Sequence, residues 1–290
     1  LLDASPLRSL LERSIPVGRI AEAVRQGQLY ALAISATSYH SGRSFTFIQG
    51  RSGHPTWVKS RRVALASDIT VDHVLASAAI PIVFPPVAIP SQTGEVYFGD
   101  GGLRLVTPLS PAIRLGATRL FAIGIRSQRA AEALSLAETS GGPGFEGPDP
   151  RIQSPPIGQI FGVFLNAIFL DHLDSDLDHL QRMNRLLSPE GHLGLNGECS
   201  VEPDHEPIRT VAPFAIHPSE DLAVVAKSFE SRMPYLIRHL LDGLGRPNVQ
   251  SAELLSYLLF DAAYTRTLLD IGYRDACQRI DEIEDFLRNG

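Results

Sequence analysis

The hydrophobic pattern of this chain changes period several times, and the changes mark out alternating strands and helices. Leu29 to Ile34 is a continuous apolar run of strand length, as expected of a strand covered on both faces. Ser44 to Ile48 alternates polar and apolar after a Ser41-Gly42 turn and reads as a second strand, with Val63 to Leu65 a further short one. Val96-Tyr97-Phe98 follows the turn-like Gln92-Thr93-Gly94-Glu95 and favours a strand, which stops abruptly at Asp100-Gly101-Gly102. Arg119 to Ile125 and Ile208 to Ile216 read as the last two strands.

Helix signals fill the gaps. Ser5 before Pro6 reads as an N-cap with proline at the first helical position, opening a short helix through Leu7, Leu10 and Leu11. A second helix passes through Ile20, Ala23 and Val24 and ends near Gly27. Thr70 caps a third, through Val74 and Leu75 to about Ala79, where Ile80-Pro81 stops it. Phe84-Pro85-Pro86-Val87 reads as a stiff link. Pro108 opens a helix through Ala112, Ile113 and Leu115 that ends at Gly116. Strand, helix, strand with buried-type strands predicts an α/β fold with a parallel sheet and helices on both faces.

Beyond residue 126 the character changes. Thr139 to Pro156 is dense in Gly and Pro and reads as a loop or lid. Ile157 to Leu187 reads as one or two helices whose apolar first half is too short to span a bilayer and suits a buried core. Pro189 to Pro207 is a polar loop. Pro218-Ser219-Glu220-Asp221 is a helix start with Ser219 as the cap. Helices are expected over Val224 to Met233, Tyr235 to Leu244, Leu254 to Leu269 and Ala276 to Leu287, the last with a packing stripe of Ala276, Ile280, Ile283 and Leu287. The expected organisation is an α/β core over 1–126, a flexible linker over 127–156 and a helical region with one further strand over 157–290.

Composition narrows the function. With 290 residues, 44% hydrophobic and 20% charged, the chain has the make-up of a globular protein. A formal charge of −6 gives no general electrostatic reason to bind nucleic acid. Two cysteines, Cys199 and Cys277, make no disulfide framework; either one bridge or, as the expected state, two buried free thiols fits them, so nothing demands an oxidising compartment, and a cytoplasmic protein, peripheral at a membrane as the alternative, is expected. Leu1-Leu2-Asp3 is no initiation sequence, so the chain is expected to start inside a longer protein. The acidic run Asp171 to His179 lacks the glycine of a calcium loop and on a helix spreads around the surface, which argues against a metal site. Lys59, Arg61 and Arg62 read as a solvated basic turn, with contact to anionic lipid the alternative.

Asp100 lies at the carboxyl end of a strand, where open α/β sheets place ligand and catalytic groups, and the glycines after it let backbone turn sharply and approach a bound group. The plain alternative is a surface turn. Ala76-Ser77-Ala78-Ala79-Ile80-Pro81, then Phe84-Pro85-Pro86-Val87, then Gly99-Asp100-Gly101-Gly102-Leu103, then Thr107-Pro108-Leu109-Ser110-Pro111-Ala112-Ile113-Arg114-Leu115-Gly116-Ala117 together resemble a patatin-like phospholipase of bacterial type. Asp3 to Leu7, Leu255 to Phe260 and Ile271 to Ala276 extend the likeness to most of the chain, least well over 139–156 and 189–207. The resemblance implies a three-layer patatin-like sheet with a helical C-terminal region. It also implies a lipid acyl hydrolase working by a Ser–Asp dyad without cofactor or metal, in which Asp100 is the catalytic base and Gly101 and Gly102 shape its turn. Lipid acyl esters are the implied substrates, with peripheral membrane contact and no nucleic acid partner.

The departures are specific. The family's serine sits in G-x-S-x-G, and no such motif occurs: Gly42-Arg43-Ser44-Phe45-Thr46 lacks the second glycine and Thr139-Ser140-Gly141 the first. The Gly-rich oxyanion loop is also absent, so neither nucleophile nor oxyanion hole lies in this chain. An asparagine common in the family two residues before the proline matching Pro108 is here Val106. Three readings follow: the Asp-bearing part of an acyl hydrolase whose nucleophile segment lies elsewhere, which alone is inactive; a non-catalytic scaffold or lipid-binding module with the same fold; and an unrelated α/β enzyme that uses Asp100 for another purpose.

Overall fold

A computed structural model describes residues 2–91, 94–127, 172–188, 209–232, 256 and 259–288. The chain divides into two compact units, Leu1–Leu120 with His172–Ala212, and Phe121–Asp171 with Pro213–Gly290. Residues that the sequence assigns to the C-terminal region thus cluster with the N-terminal block.

The first unit is built on a six-stranded sheet in the order β3-β4-β2-β1-β6-β5. Its strands are β1 (Ala31–Ser38), β2 (Ser44–Gly50), β3 (Trp57–Val58), β4 (Arg62–Ala66), β5 (Val87–Ser91) and β6 (Gly94–Asp100). Helices α1 (Ser5–Ser14), α2 (Arg19–Arg25), α3 (Val71–Ser77) and α4 (Ser110–Arg114) accompany it. The sheet is mixed, not parallel. Only β2 and β4 run parallel, whereas β1–β2, β1–β6, β3–β4 and β5–β6 are antiparallel. The reason is local: the segments between β1 and β2 and between β5 and β6 are too short for a crossover and force hairpins. Two edge strands escaped the sequence pattern. β3 has two residues, and β5 contains Pro90, which only an edge tolerates.

Period-two alternation sorts the sheet's two faces. Leu32, Ile34 and Ala36 of β1 join Phe45, Phe47, Leu65, Ile89 and Phe98, covered by Ile20 of α2 and Ala76 of α3. Ala31 and Ala33 instead join Ile48, Trp57 and Ala64, covered by Leu115 at the end of α4. Helices therefore lie on both faces of an α/β sheet. Phe98 meets Phe45 and Phe47 edge-on, each at 5.3 Å between ring centres, a favoured aromatic geometry.

Several local readings hold, and others shift. Thr70 is the N-cap of α3 in a capping box with His73. Gly27 and Gly116, after α2 and after α4, both take positive φ, as helix ends favour. Ser5 is not a cap: α1 begins at Ser5 itself, and Asp3 Oδ1 accepts the Ser5 N–H at 2.9 Å. α5 (Leu173–Leu187) belongs to the first unit, where Asp176 Oδ2 accepts the Leu109 N–H at 2.9 Å. Asn184 pairs with both backbone groups of Val211.

The second unit holds most of a two-stranded sheet of β7 (Arg119–Ile123) and β8 (Ala212–Ile216), so the strand expected at Arg119 to Ile125 does not join the main sheet. Around it lie α6 (Leu222–Ser228), α7 (Ala262–Gln278) and α8 (Ile280–Arg288). Asp221, not Ser219, caps α6 through the Ala223 N–H. Asp261 caps α7, which cuts the helix expected over Leu254 to Leu269. The expected stripe straddles the break at Arg279, and Ile280 and Leu287 are exposed. Cys277 is an exposed free thiol, because position 277 falls on the outer face of α7, not among its buried residues. The 139–156 loop, the apolar segment 157–170, Cys199 and the helix at Tyr235 to Leu244 lie outside the described residues.

Candidate functional site

Asp100 is the last residue of β6, followed by one turn of 3-10 helix over Gly101–Leu103. Each of its backbone groups is committed. Its N–H donates to Ala79 O at the end of the α3 segment (3.0 Å), and its carbonyl accepts the Thr37 hydroxyl of β1 (2.8 Å). Its carboxylate Oδ1 accepts the Gly102 N–H at 2.7 Å. A backbone pinned on both sides and a carboxylate held by one N–H give a fixed orientation.

The two glycines act differently from the sequence expectation. Neither takes a positive φ. Gly101 is required by proximity: a Cβ there would collide with the Ser35 carbonyl oxygen of β1. At Gly102 a Cβ would crowd Asp100 Oδ1 at 3.1 Å, the atom its own N–H serves.

A cavity of about 640 Å³ opens beside Asp100, well within the ~300–1,000 Å³ usual for ligand sites. Its walls come from both faces of the sheet: Ile34 and Ser77 on the α3 side, Ala31, Ala33 and Leu115 on the α4 side. It can reach both because β1 is paired with β6 only from Ala36 to Ser38, while it is paired with β2 from Ala31 to Thr37. After Asp100 the chain turns away, and among the described residues the first five residues of β1 have no strand on that side. The cavity is a slot along that open edge.

Electrostatics favour proton acceptance. Burial pushes the Asp100 carboxyl above the ordinary carboxylate range, only partly offset by the Gly102 N–H. Tyr39, which the sequence reading did not single out, packs its ring on Gly99. Burial, then the Asp100 charge, raises its pKa. No motif marks Tyr39; only the register that sets Thr37 opposite Gly99 brings it here. Ser77, also missed as a wall of the slot, was legible only as part of a small-residue helix end.

Elsewhere the candidate chemistry is structural. His73 is 4% exposed. Its Nδ1 accepts the Thr70 N–H at 3.1 Å, so Nε2 carries the proton and donates to Ser67 Oγ at 3.3 Å. Ser67 is therefore not activated by this imidazole. Among the described residues no group of three His, Cys, Asp or Glu side chains is placed to hold a metal ion, and no helix is long and apolar enough to cross a membrane.

No curated protein and no solved structure matches the chain. The family model of the patatin-like phospholipases matches residues 1–113. The matched segment contains the whole six-stranded sheet, α1 to α3 and the Asp100-Gly101-Gly102 turn. The mixed sheet with helices on both faces agrees with it, and the match is to a family of lipid acyl hydrolases. Residues 1–113 of this chain are therefore similar to the patatin-like phospholipase family.

Proposed function

We propose that this chain supplies the general base of a serine acyl hydrolase acting on lipid acyl esters. The observation that carries the reading is the open slot along β1 with the Asp100 carboxylate at its end. A serine nucleophile needs a base within hydrogen-bond reach, and Asp100 is fixed, partly buried and shifted toward holding a proton. An unpaired half-strand inside a sheet is unfavourable unless something covers it. An extended segment bearing the G-x-S-x-G serine, which these 290 residues lack, is the proposed occupant. The serine hydroxyl gives its proton to Asp100 as its oxygen attacks the ester carbonyl carbon. Backbone N–H groups of the Gly-rich segment steady the oxyanion. The proton passes to the departing alcohol, and water then cleaves the acyl-serine by the same route. Acting alone, the 290 residues are expected to hydrolyse no ester.

A second reading, a non-catalytic patatin-fold scaffold or lipid-binding module, is favoured by the missing motif and by Val106. One experiment separates the two. The complete protein is treated with a fluorophosphonate probe and every labelled peptide is identified by mass spectrometry, with Asp100→Asn alongside. Labelling on a serine outside these residues, lost in Asp100→Asn with the fold intact, is the expected result. Labelling of a serine within this chain refutes the assignment, and no labelling at all leaves the scaffold.

A further inference from the structure

Residues 38–44 between β1 and β2 and residues 58–62 between β3 and β4 lie at one end of the six-stranded sheet, and residues 101–107, which leave β6 at Asp100 part-way along β1, reach back to them. Hydrogen bonds and contacts join them. Ser44 N–H donates to Arg61 O (3.0 Å) and Lys59 N–H to Arg62 O (2.8 Å). Arg62 Nη1 donates to Thr107 Oγ1 at 2.5 Å. The Arg104 guanidinium reaches over Gly42, 3.9 Å from where a Cβ would lie.

The content of these turns departs from the rest of the molecule. Together they hold five cations, Arg43, Lys59, Arg61, Arg62 and Arg104, and no carboxylate, in a chain whose formal charge is −6. All but Arg62 are exposed. Two of them also contribute an exposed apolar side chain, Val58 at 72% and Val106 at 58%, whereas the ring of Tyr39 lies against Gly99. Val58 stands beside Lys59, and Val106 two residues after Arg104, so apolar side chains alternate with the cations. Apolar side chains between cations suit a water–lipid boundary, where the apolar groups enter the acyl region and the cations meet anionic headgroups.

We propose that this end of the sheet docks on the surface of an anionic lipid bilayer. The charge pattern selects the occupant: cations attract a negative surface, and two apolar tips, Val58 and Val106, give that attraction somewhere to insert. The inference stands on the turns alone and does not require the chain to be catalytic, although Asp100 leads directly into the third turn.

The test is sedimentation of the complete protein with phosphatidylcholine vesicles, with and without added phosphatidylglycerol. The protein is expected to pellet with anionic vesicles, to stay in solution with neutral ones, and to be released by salt. Neutralising Lys59 or Arg61 to Gln is expected to weaken partition about fivefold each. Val58→Ser and Val106→Ser also weaken it while leaving its salt dependence. Arg104→Ala serves as an independent variant, and thermal melting confirms that each variant folds. Equal pelleting with neutral vesicles, no pelleting with either, or indifference to the Lys59 and Arg61 changes overturns the proposal. So does binding to heparin that equals vesicle binding and ignores Val58→Ser. Asp100→Asn is expected to keep vesicle binding, so loss of hydrolysis with binding intact touches only the hydrolase reading. Hydrolysis of a soluble ester without vesicle binding sinks only the docking surface.

Discussion

The carbonyl oxygen of Ser35 occupies the space that a side chain at Gly101 would need. The residue after the candidate base is therefore glycine because strand β1 passes too close for anything else, not because of a special φ. Gly101→Ala must push β1 and the Asp100 turn apart. Overpacking of this kind costs typically about 1–3 kcal/mol, and the cost here falls on backbone that cannot swing aside. A urea midpoint lowered with an unchanged slope, together with loss of fluorophosphonate labelling in the complete protein, is the expected outcome. An alanine variant as stable as the parent contradicts the close approach.

The raised pKa of Asp100 fixes the direction of an activity profile. The base works only when ionised. Activity should therefore fall as pH drops through a value above the ordinary carboxylate figure of 3.8. The acid limb of kcat/KM in the complete protein reports this value for the free enzyme. An acid limb at or below 3.8, on a soluble ester and with the protein folded throughout, removes burial as the tuning device.

What the sequence made legible was local. Thr70 as a cap, Gly27 and Gly116 as helix ends, and the stop at Asp100 each depend on a few neighbouring residues, and each is found in place. What it hid depends on register. Apolar runs such as Leu29 to Ile34 look alike in parallel and antiparallel sheets, so strand direction could not be read from them. The half-open edge of β1, the slot and the packing of Tyr39 on Gly99 all follow from pairing Ala36 with Asp100, a contact between residues 64 apart. The same holds for the basic turns, since Gly42 and Arg104 share no local signal. Ser219 carried a correct local signature for a cap, but Asp275, 56 residues later, claims its hydroxyl.

His73 makes stability depend on pH in a definite direction. Burial lowers its pKa below the ordinary imidazole value of 6.5, and the Asp72 charge only partly opposes this. The folded state prefers the neutral ring, so between the two pKa values the unfolded state binds more protons. This contribution is complete above about pH 6.5 and is lost as pH falls below it toward the depressed folded value. Denaturation midpoints at mildly acidic and neutral pH should differ less in His73→Gln than in the parent. Equal differences would contradict the assignment.

Ile82 has φ of 72° and is exposed. Left-handed backbone costs a β-branched residue roughly 1–2 kcal/mol. Ile82→Gly relieves the strain but loosens the unfolded chain by about 0.4–1 kcal/mol. The net expectation is a small rise in melting temperature. A fall means that the side chain makes a contribution larger than the strain.

Asp275 and Ser219 form a two-bond polar lock among the described residues of the second unit. Ser219 donates twice, N–H to Oδ2 at 2.8 Å and hydroxyl to Oδ1 at 2.6 Å. Arg274 Nε lies 3.7 Å from Oδ1 and its Nη2 also reaches Glu220. Burial works to raise the Asp275 pKa, but the Ser219 bonds and the Arg274 charge together hold it below the ordinary range. A depressed carboxylate is a poor general base, so this Ser–Asp pair is a fastener rather than a second catalytic dyad. It ties the approach to α6 onto α7. Its contribution is present above pH 3.8 and disappears as pH falls through the lower folded value. Hydrogen bonds to a charged group are worth roughly 1.5–3 kcal/mol. Asp275→Asn keeps the shape but halves the acceptors. Amide hydrogen exchange at Ser219 should quicken markedly in Asp275→Asn and also in the parent at strongly acidic pH, while Ser219→Ala should lower the stability of α7 with little effect on exchange in the six-stranded sheet. Unchanged protection of the Ser219 amide in Asp275→Asn would show that the lock contributes nothing, and probe labelling of Ser219 would show that it is no mere fastener.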